Sequence, residues 1–516
     1  MTQIILCVII IGNRFEIYQI YYNEKEKKMK KFVKIVSLAL AILMIAAAFA
    51  ACGKKDDDKG NKGPTTVTPG GDDNSIEVIY WDNTEYRILG KDSTSYEWAK
   101  HFEVFREELP EDTVGKAVWE RNLHIRDTYG INVKGYLKTD CNEVANTTLE
   151  SGEDEYDLML LAPEKFQPLA TKGFFLDLYK LDYINMEHEA WMEVPNEQLS
   201  MGGRLYYTTN KFLIQDKNRS WLFYYNRDLA KELNLGYFED WVFDGTWTVD
   251  KVIEIGKQAT YDSDGEPGMG KKDNWGVAVA EFYSFAQIAY GTGFSYTQKA
   301  VDDYPEFIAD SADMMRRLDK VYELTANKEV YYCDQSYGSV NYSDCAYHMF
   351  YAKKVLMHPS VVSHMDTLGI YCDFVYAPLP NPKFEEKQEM YYALPNLGNG
   401  SLLGVPSTVM DPSFAGYALE VISETSVKTT YNKYIEDKCL LQNVVDQDAA
   451  NCLRLVFEGI TYDIAFISDI GGYGIMMRNE LGSYSSNTFK RLFSSKLDAA
   501  KGVLEDIKTA YAALPY

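Results

Sequence analysis

Short apolar runs alternate with longer amphipathic stretches from about residue 76 to the end of the chain. The runs have the length and the apolar or β-branched character of strands, and the stretches between them have helical spacing. Strands are predicted at 76–80, 131–136, 157–161, 221–225, 275–279 and 355–357. Helices are predicted at 114–129, 229–235, 308–325 and over most of the chain after Phe414. This alternation predicts an α/β fold with a largely parallel sheet.

A different pattern precedes this region. A lysine-rich segment, 30–34, leads into a run of apolar and small residues, 35–51, that ends at Cys52. These are the parts of a secretory signal. The cysteine after the small residues resembles a bacterial lipoprotein signal, which implies lipidation of Cys52, although Phe49 stands where leucine is usual. The alternative is an uncleaved anchor, for which the run is slightly shorter than the ~20 residues that span a bilayer.

The segments around this signal have separate interpretations. Residues 1–28 have no place in it, and we interpret them as a start-site artefact, the alternative being a cytoplasmic extension of an anchored protein. Residues 29–51 then form the signal peptide. Residues 52–75 are rich in Gly, Pro, Thr and Asp and have little to bury, so we expect a disordered tether.

Composition narrows the possible partners. The chain is 46% hydrophobic, as an ordinary globular protein is, and the part after residue 75 is long enough for roughly two or three domains. The formal net charge is −24, which argues against nucleic acid and anionic lipid headgroups as partners. Aromatic residues make up 14% of the chain, so rings are available for binding as well as for packing.

Several segments carry a family resemblance. Residues 222–229 (LFYYNRDL), 245–248 (GTWT) and 262–265 (DSDG) resemble, in order and spacing, family 1 extracellular solute-binding proteins. Residues 375–380 (VYAPLP) and 458–463 (EGITYD) are similar to later segments of the same family. These proteins are the receptor subunits of ABC importers, many of them for sugars. The resemblance covers nearly all of the chain after residue 75.

The resemblance implies a two-lobed periplasmic-binding-protein-like fold of type II, with the ligand between the lobes. Carried onto this chain, the first lobe comprises residues 76–207 and 355–404, and the second comprises 208–354 and 405–516. Hinge strands are expected to cross between them near 207–208, near Val355 and near 403–404.

The implied function is that of an extracellular receptor held on the cell membrane by the lipid on Cys52. It would capture a small solute, a carbohydrate, and deliver it to an ABC permease in the membrane. No cofactor is expected.

Candidate ligand-binding residues follow from the chemistry of sugars. A sugar has flat apolar faces and many hydroxyl groups, so a binding cleft needs aromatic rings beside carboxylate or amide acceptors. In open α/β sheets, ligands bind beyond the carboxyl ends of the strands. Residues placed after predicted strands are therefore the candidates: Trp81, Asp82, Glu164, Glu281, Tyr283 and Tyr473. For each ring among them, packing in the core is the alternative role.

The sequence contains no catalytic motif that indicates an enzyme. The sequence has no P-loop, no G-x-G-x-x-G and no G-x-S-x-G, and the zincin-like start at His188 fails because Met192 stands at the second ligand position. Two alternatives to the importer receptor stay open. One is an exported glycan-active enzyme that uses some of the many acids, and the other is a binding module that feeds a membrane sensor kinase.

One loop resembles the start of a calcium site. Asp262, Asp264 and Gly265 have the expected spacing, but Asp273 stands at the twelfth position, where a bidentate glutamate belongs. A turn stabilised by aspartate side chains is therefore favoured, and no metal is predicted.

The cysteines after Cys52 show no zinc-like spacing. Cys333 with Cys345 and Cys439 with Cys452 are the nearest in sequence. Disulfide bonds between them and buried free thiols remain equal interpretations.

Overall fold

The computed structural model describes residues 76–93, 100–279, 284–333, 346–396, 400–478 and 486–514. The strands are β1 (Thr84–Lys91), β2 (Ile131–Lys138), β3 (Leu158–Leu161), β4 (Trp221–Asn226), β5 (Trp275–Val279), β6 (Thr297–Lys299), β7 (Pro305–Phe307), β8 (Tyr331–Cys333), β9 (Val355–Val361), β10 (Tyr376–Leu379) and β11 (Leu402–Gly404). The helices are α1 (Thr113–Tyr129), α2 (Cys141–Ser151), α3 (Pro163–Ala170), α4 (Glu193–Leu199), α5 (Gln215–Asn218), α6 (Arg227–Glu232), α7 (Phe238–Phe243), α8 (Val249–Ala259), α9 (Ser284–Gly291), α10 (Ala312–Thr325), α11 (Ala346–Tyr351), α12 (His364–Tyr371), α13 (Pro412–Ser426), α14 (Gln447–Glu458), α15 (Ile464–Ile467), α16 (Tyr473–Arg478) and α17 (Ser486–Ala513). Two π-helical segments, Val427–Tyr431 and Lys433–Gln442, follow α13, and a 3-10 turn, Ile470–Gly472, precedes α16.

Two mixed sheets organise these elements. The first has the strand order β11-β3-β1-β2, with β1 parallel to β2 and β3 and with β11 antiparallel to β3. The second has the order β10-β4-β9-β5-β8, with β5 parallel to β8 and β9 and with β4 antiparallel to β9 and β10. Strands β6 and β7 form a separate antiparallel pair. The predicted α/β class is confirmed.

Local chemistry fixes where the first sheet's elements begin and end. Helix α1 begins after Asp112, whose Oδ1 accepts a hydrogen bond from the Gly115 N–H at 2.7 Å. It ends at Gly130, which has φ +66° and donates its N–H to the Arg126 carbonyl. Strand β2 begins at the next residue, so the end of the predicted helix and the start of the next strand are both confirmed. Strand β3 consists of four fully buried apolar residues, as predicted for a central strand.

The first strand lies later in the chain than predicted. Residues 76–80 precede it, and β1 itself is Thr84–Lys91. Arg87 in its middle donates from Nε and Nη2 to Asp157, at 3.0 and 2.7 Å, which fixes β1 beside β3. The apolar pattern missed this strand because the charged side chain of Arg87 stands between buried Tyr86 and Ile88.

Strand pairing differs from the predicted division of the chain. Residues 355–404 were expected in the first lobe, but β9 and β10 pair within the second sheet, and β11 pairs in the first. Residues 412–442 were expected in the second lobe, but Ser426 accepts a hydrogen bond from Arg121 of α1, and Tyr417 donates to the Glu77 carbonyl. Periodicity identifies a strand but not its neighbours, which long-range packing decides.

Two of the expected crossing segments, near 207–208 and near 403–404, are hydrogen-bonded to each other. The Thr208 N–H donates to the Leu403 carbonyl at 3.0 Å, and the Leu403 N–H donates back at 2.7 Å. Further along, Ser220 pairs with Pro395. The two connecting segments, 208–220 and 395–403, are therefore paired with each other at both ends, through the described residues 395–396 and 400–403 of the second segment. Val355, the third expected crossing, is instead the first residue of β9.

The described cysteines Cys141, Cys372, Cys439 and Cys452 are free thiols. A bond between Cys439 and Cys452 is thus excluded in this structure, and Cys345 lies outside the described residues. Burial raises the pKa of the Cys439 thiol to about 12, which keeps it protonated and unreactive. Within the described part of the chain, no helix has the length and apolar character needed to cross a membrane.

Candidate functional site

The carboxyl ends of the parallel strands in both sheets face the two connecting segments. In the second sheet, Trp221 at the start of β4 pairs with Val361 at the end of β9. In the first sheet, Leu402 at the start of β11 pairs with Leu161 at the end of β3. The second connecting segment has a described residue at each edge, because Pro395 pairs with the residue before β4 and Ser401 directly precedes β11. The edges where α/β proteins bind ligands thus lie close together.

Five polar residues mark this region, which we call the strand-end site: His101, Glu164, Arg219, Ser363 and Asn396. Glu164 lies in the first turn of α3, directly after β3, where the sequence placed it. Its side chain is half-buried. The first turn of a helix stabilises a carboxylate, so Glu164 offers a charged acceptor at the edge of the first sheet.

His101 is held in one tautomer at the end of β1. Its Nδ1 accepts a hydrogen bond from the Lys91 N–H at 2.8 Å, so Nε2 carries the proton and donates to Ser401 Oγ at 2.6 Å. Burial, with a smaller effect from Lys91, lowers the pKa of His101 to about 3. This neutral imidazole joins the segment after β1 to the residue before β11.

The second sheet contributes Arg219 and its partners. Arg219 Nη1 donates to the hydroxyl of Ser363, just beyond β9, at 3.0 Å. The carbonyl of Arg219 accepts from the Asn396 N–H at 2.8 Å, and Gln215 Nε2 donates to the Lys100 carbonyl. These contacts tie both connecting segments to both sheet edges. The residues gathered here carry a carboxylate, a guanidinium, a hydroxyl and an amide, which are groups of the kinds that bind polar ligands.

The other predicted residues lie elsewhere or outside the described ranges. Trp81 and Asp82 are at the amino end of β1, at the opposite edge of the sheet, and the Trp81 ring packs on Phe414 with centroids 4.9 Å apart. Tyr473 is fully buried, stacks on Tyr296 and Phe493, and donates its hydroxyl to the Phe493 carbonyl. Cys52, Glu281 and Tyr283 lie outside the described residues.

Sequence reasoning missed four of the five members of the strand-end site. His101, Arg219, Ser363 and Asn396 come from distant parts of the chain, and contacts between those parts bring them together. Arg219 and Asn396 also precede strands of the sheets instead of following them, so a search for residues after strands passes over them. A search among the two residues before each antiparallel strand would have found Arg219, which lies two positions before β4.

The loop with calcium-like spacing is a turn built by its own side chains. Asp262 Oδ1 accepts from the Gly265 N–H and Asp264 Oδ1 from the Glu266 N–H, both at 2.8 Å. Asp273 accepts from the N–H groups of Ser263 and Gly270, and these bonds lower the pKa of its carboxyl. The carboxylates thus stabilise the loop backbone, as in Asx turns.

A separate cavity of about 330 Å³ lies between α4 and the region around β6. We call it the aromatic cavity, and its lining includes Tyr290, Phe294, Tyr392, Tyr462, Glu197, Gln198, Ser295, Thr297, Gln298, Lys299 and Thr461. Gln198 Nε2 donates to Thr461 Oγ1 at 3.0 Å, and the Tyr290 hydroxyl donates to Asp463 at 2.7 Å. Part of the polar lining of the aromatic cavity is thus bonded within the cavity wall, just as Arg219 and Ser363 of the strand-end site are bonded to each other.

Burial of Glu103 beside the connecting segment 208–220 makes the stability of the fold depend on pH. Glu103 accepts from the Ile214 N–H at 3.4 Å, and its Oε2 is buried without a hydrogen-bond partner. Burial raises the pKa of Glu103 from 4.5 to about 7. The folded protein thus holds this proton more tightly than the unfolded chain, so stability is full below pH ~4.5 and falls as the pH rises to ~7.

We expect Glu103→Gln to remove this loss, because an uncharged amide needs no ionisation in the interior. The unfolding free energy of the variant, relative to that of the unchanged protein, should therefore be about 3 kcal/mol higher at pH 8 than at pH 4.5. Urea unfolding of both proteins at the two pH values measures this. Parallel pH dependence of the two proteins would contradict it.

Known proteins resemble this chain in structure but not in sequence. No family model matches the chain, and no curated protein matches it in sequence. Solved structures that are similar in fold include three with TM-scores above 0.5. A cyclo/maltodextrin-binding protein in complex with maltotetraose shares 13% identity, with a TM-score of 0.53 over 82% of this chain and 96% of that protein.

The other two structures are RafE from Streptococcus pneumoniae in its apo form and a sugar transporter from Rhizobium etli in an open conformation. RafE shares 15% identity, with a TM-score of 0.51 over 84% of this chain and 98% of its own. The Rhizobium etli protein shares 14% identity, with a TM-score of 0.51 over 84% of this chain and 100% of its own. This chain has the two-lobed fold of solute-binding proteins. The predicted fold class is confirmed, and the relation is one of structure, because the identities are low.

Proposed function

We propose that the protein is an exported receptor that binds a carbohydrate at the strand-end site and delivers it to an ABC importer permease. The observation that carries the proposal is the convergence of the carboxyl ends of two α/β sheets on two paired connecting segments. Proteins of this two-lobed fold include the maltotetraose-bound protein above. Fold likeness alone does not identify a ligand, so the chemistry of the site must support it.

The chemistry of the site suits a polyhydroxylated ligand. Glu164 offers an acceptor from the edge of the first sheet, and Arg219 and Ser363 offer donors from the edge of the second. Sugar hydroxyl groups both donate and accept hydrogen bonds, so a saccharide suits both kinds of group. A ligand that touches both sheets binds a closed arrangement of the lobes better than an open one, and this difference in affinity drives closure.

The sequence supports export and membrane attachment. The segment 29–51 has the parts of a signal peptide, and Cys52 follows it at the position of a lipidated cysteine. The polar segment 52–75 then serves as a tether between the lipid and the folded body. The proposed location is the extracellular face of the cell membrane.

A thermal-shift screen against mono- and oligosaccharides tests the proposed ligand class. A saccharide at 100 times its dissociation constant should stabilise the protein by about 2.7 kcal/mol. Stabilisation by peptides or polyamines, with none by saccharides, would overturn the carbohydrate assignment and leave a receptor for another solute. Incubation with the same saccharides and assay of new reducing ends separates binding from hydrolysis, because a receptor releases the sugar intact.

The position of Glu164 gives a specific prediction. Glu164→Gln should weaken binding of the stabilising saccharide by about 10- to 100-fold, since a hydrogen bond to a charged acceptor contributes about 1.5–3 kcal/mol. The unliganded variant should lose no more than about 1 kcal/mol of unfolding free energy, the usual contribution of a carboxylate in the first turn of a helix. Titration calorimetry measures the affinity.

Asp82→Asn provides the matched control. Asp82 is an exposed carboxylate at the amino end of β1, so removal of its charge should leave the affinity unchanged. Equal affinity losses in both variants would indicate a general charge effect and would contradict a site at the carboxyl edge.

A further inference from the structure

A second cluster of ligand-type side chains lies on α13 and shares no residue with the strand-end site. Glu420 and Glu424 are one turn apart on this helix and share one face. His188, in the segment before α4, lies against them. One donor atom from each of the three side chains lies within 4.8 Å of the other two.

The carboxylates of this cluster are fixed by neighbouring groups. Glu420 is 1% exposed, and its Oε2 accepts from Trp191 Nε1 at 2.8 Å and from the Asn185 N–H at 3.3 Å. Glu424 Oε1 accepts from the Ala190 N–H at 2.9 Å. Glu420 Oε1 contacts His188 Nδ1 directly. Such outer hydrogen bonds orient carboxylates in metal sites.

The cluster brings two carboxyl groups and one imidazole together. In the described part of the chain, neither carboxyl group is bonded to a Lys or Arg side chain, since Glu420 contacts His188, Trp191 and the Asn185 N–H and Glu424 contacts the Ala190 N–H. A buried carboxylate is costly without a full counter-charge, and a like charge one helical turn away adds to that cost. A divalent cation between the three side chains would neutralise both carboxylates.

We infer that His188, Glu420 and Glu424 bind a divalent cation of the Zn²⁺ class. One imidazole and two carboxylates are ligands that zinc accepts, whereas Ca²⁺ and Mg²⁺ prefer oxygen ligands alone. A zinc ion lies about 2.0–2.2 Å from each ligand atom, so His188 Nδ1 and Glu420 Oε1 must separate to about 3.4 Å to admit it. The bound ion would join the segment around His188 to α13, and a water molecule would occupy the fourth position.

The site is tested by zinc titration of the full-length protein, after treatment with EDTA and removal of the EDTA. Elemental analysis measures the stoichiometry. We expect one Zn²⁺ per chain, a higher melting temperature with ZnCl₂, and no such rise with CaCl₂. Glu424→Gln should lower the zinc affinity at least tenfold, and it should fold normally because an amide oxygen still accepts from the Ala190 N–H. His188→Gln should lower the affinity similarly.

Asp264→Asn, in the exposed turn described above, is the control and should bind zinc as the unchanged protein does. Absence of stoichiometric zinc would overturn the inference. So would equal zinc binding by the two cluster variants and the control, which would place the ion elsewhere. Neither outcome depends on saccharide binding.

Discussion

Replacement of Asp463 by Ala should destabilise the folded protein by about 4 kcal/mol. The carboxylate of Asp463 accepts from the hydroxyls of Tyr290, Ser295 and Thr297, at 2.7–2.9 Å, and from two backbone N–H groups. The residue is buried, so its loss leaves several donors in the interior without a partner. Effects of this size arise when a buried hydrogen-bond network is broken. Urea unfolding of the two proteins measures the difference.

Asp262→Ala is the matched control for this prediction. Asp262 also caps a backbone N–H, that of Gly265, but it lies in an exposed loop where water replaces the lost acceptor. Its replacement should cost less than ~1 kcal/mol. Equal costs at the two positions would contradict the account of Asp463 as a buried centre of the network.

Replacement of Tyr473 by Ala should cost about 3–5 kcal/mol, as expected for a large ring removed from a core. The ring is fully buried, with centroids 4.9 Å from Tyr296 and 4.6 Å from Phe493. Tyr473→Phe keeps the stack and loses only the bond to the Phe493 carbonyl, so it should cost about 1 kcal/mol. Denaturant unfolding of both variants tests this.

Tyr80→Ala offers a control on an exposed ring, since its side chain is 52% exposed. It should change the unfolding free energy by less than ~1 kcal/mol. If Tyr473→Ala proved as mild as Tyr80→Ala while it weakened ligand binding, Tyr473 would be a cleft residue after all, as the sequence suggested.

Uninterrupted apolar runs predicted strands more reliably than a pattern broken by a charged residue did, for a physical reason. Apolar runs such as those of β3 and β5 predicted strands correctly, because complete burial of a central strand requires a continuous apolar sequence. Strand β1 was misplaced because Arg87 forms an ion pair with Asp157 at the edge of the sheet and so interrupts the apolar pattern. The error moved Trp81 and Asp82 from the amino end of the strand to its apparent carboxyl end.

The candidate site was less accessible to sequence reasoning than the fold. Glu164 could be placed because it follows a well-predicted strand directly. Tyr473 could not be assigned from the sequence, because a ring beside glycines suits a core stack as well as a cleft wall. The contacts of His101 with Ser401 and of Arg219 with Ser363 join residues far apart in the chain, and no local pattern records them.

Hydrogen exchange with and without the stabilising saccharide tests whether the ligand binds at the strand-end site. We expect slower exchange after ligand binding in the described residues that follow β1, β3 and β9 and in the connecting segments, at 208–220, 395–396 and 400–403, because closure of the lobes buries them together. Exchange at the amino end of β1 should not change. Protection confined to the aromatic cavity, or no protection in either connecting segment at saturation, would contradict the claim that the strand-end site binds the ligand.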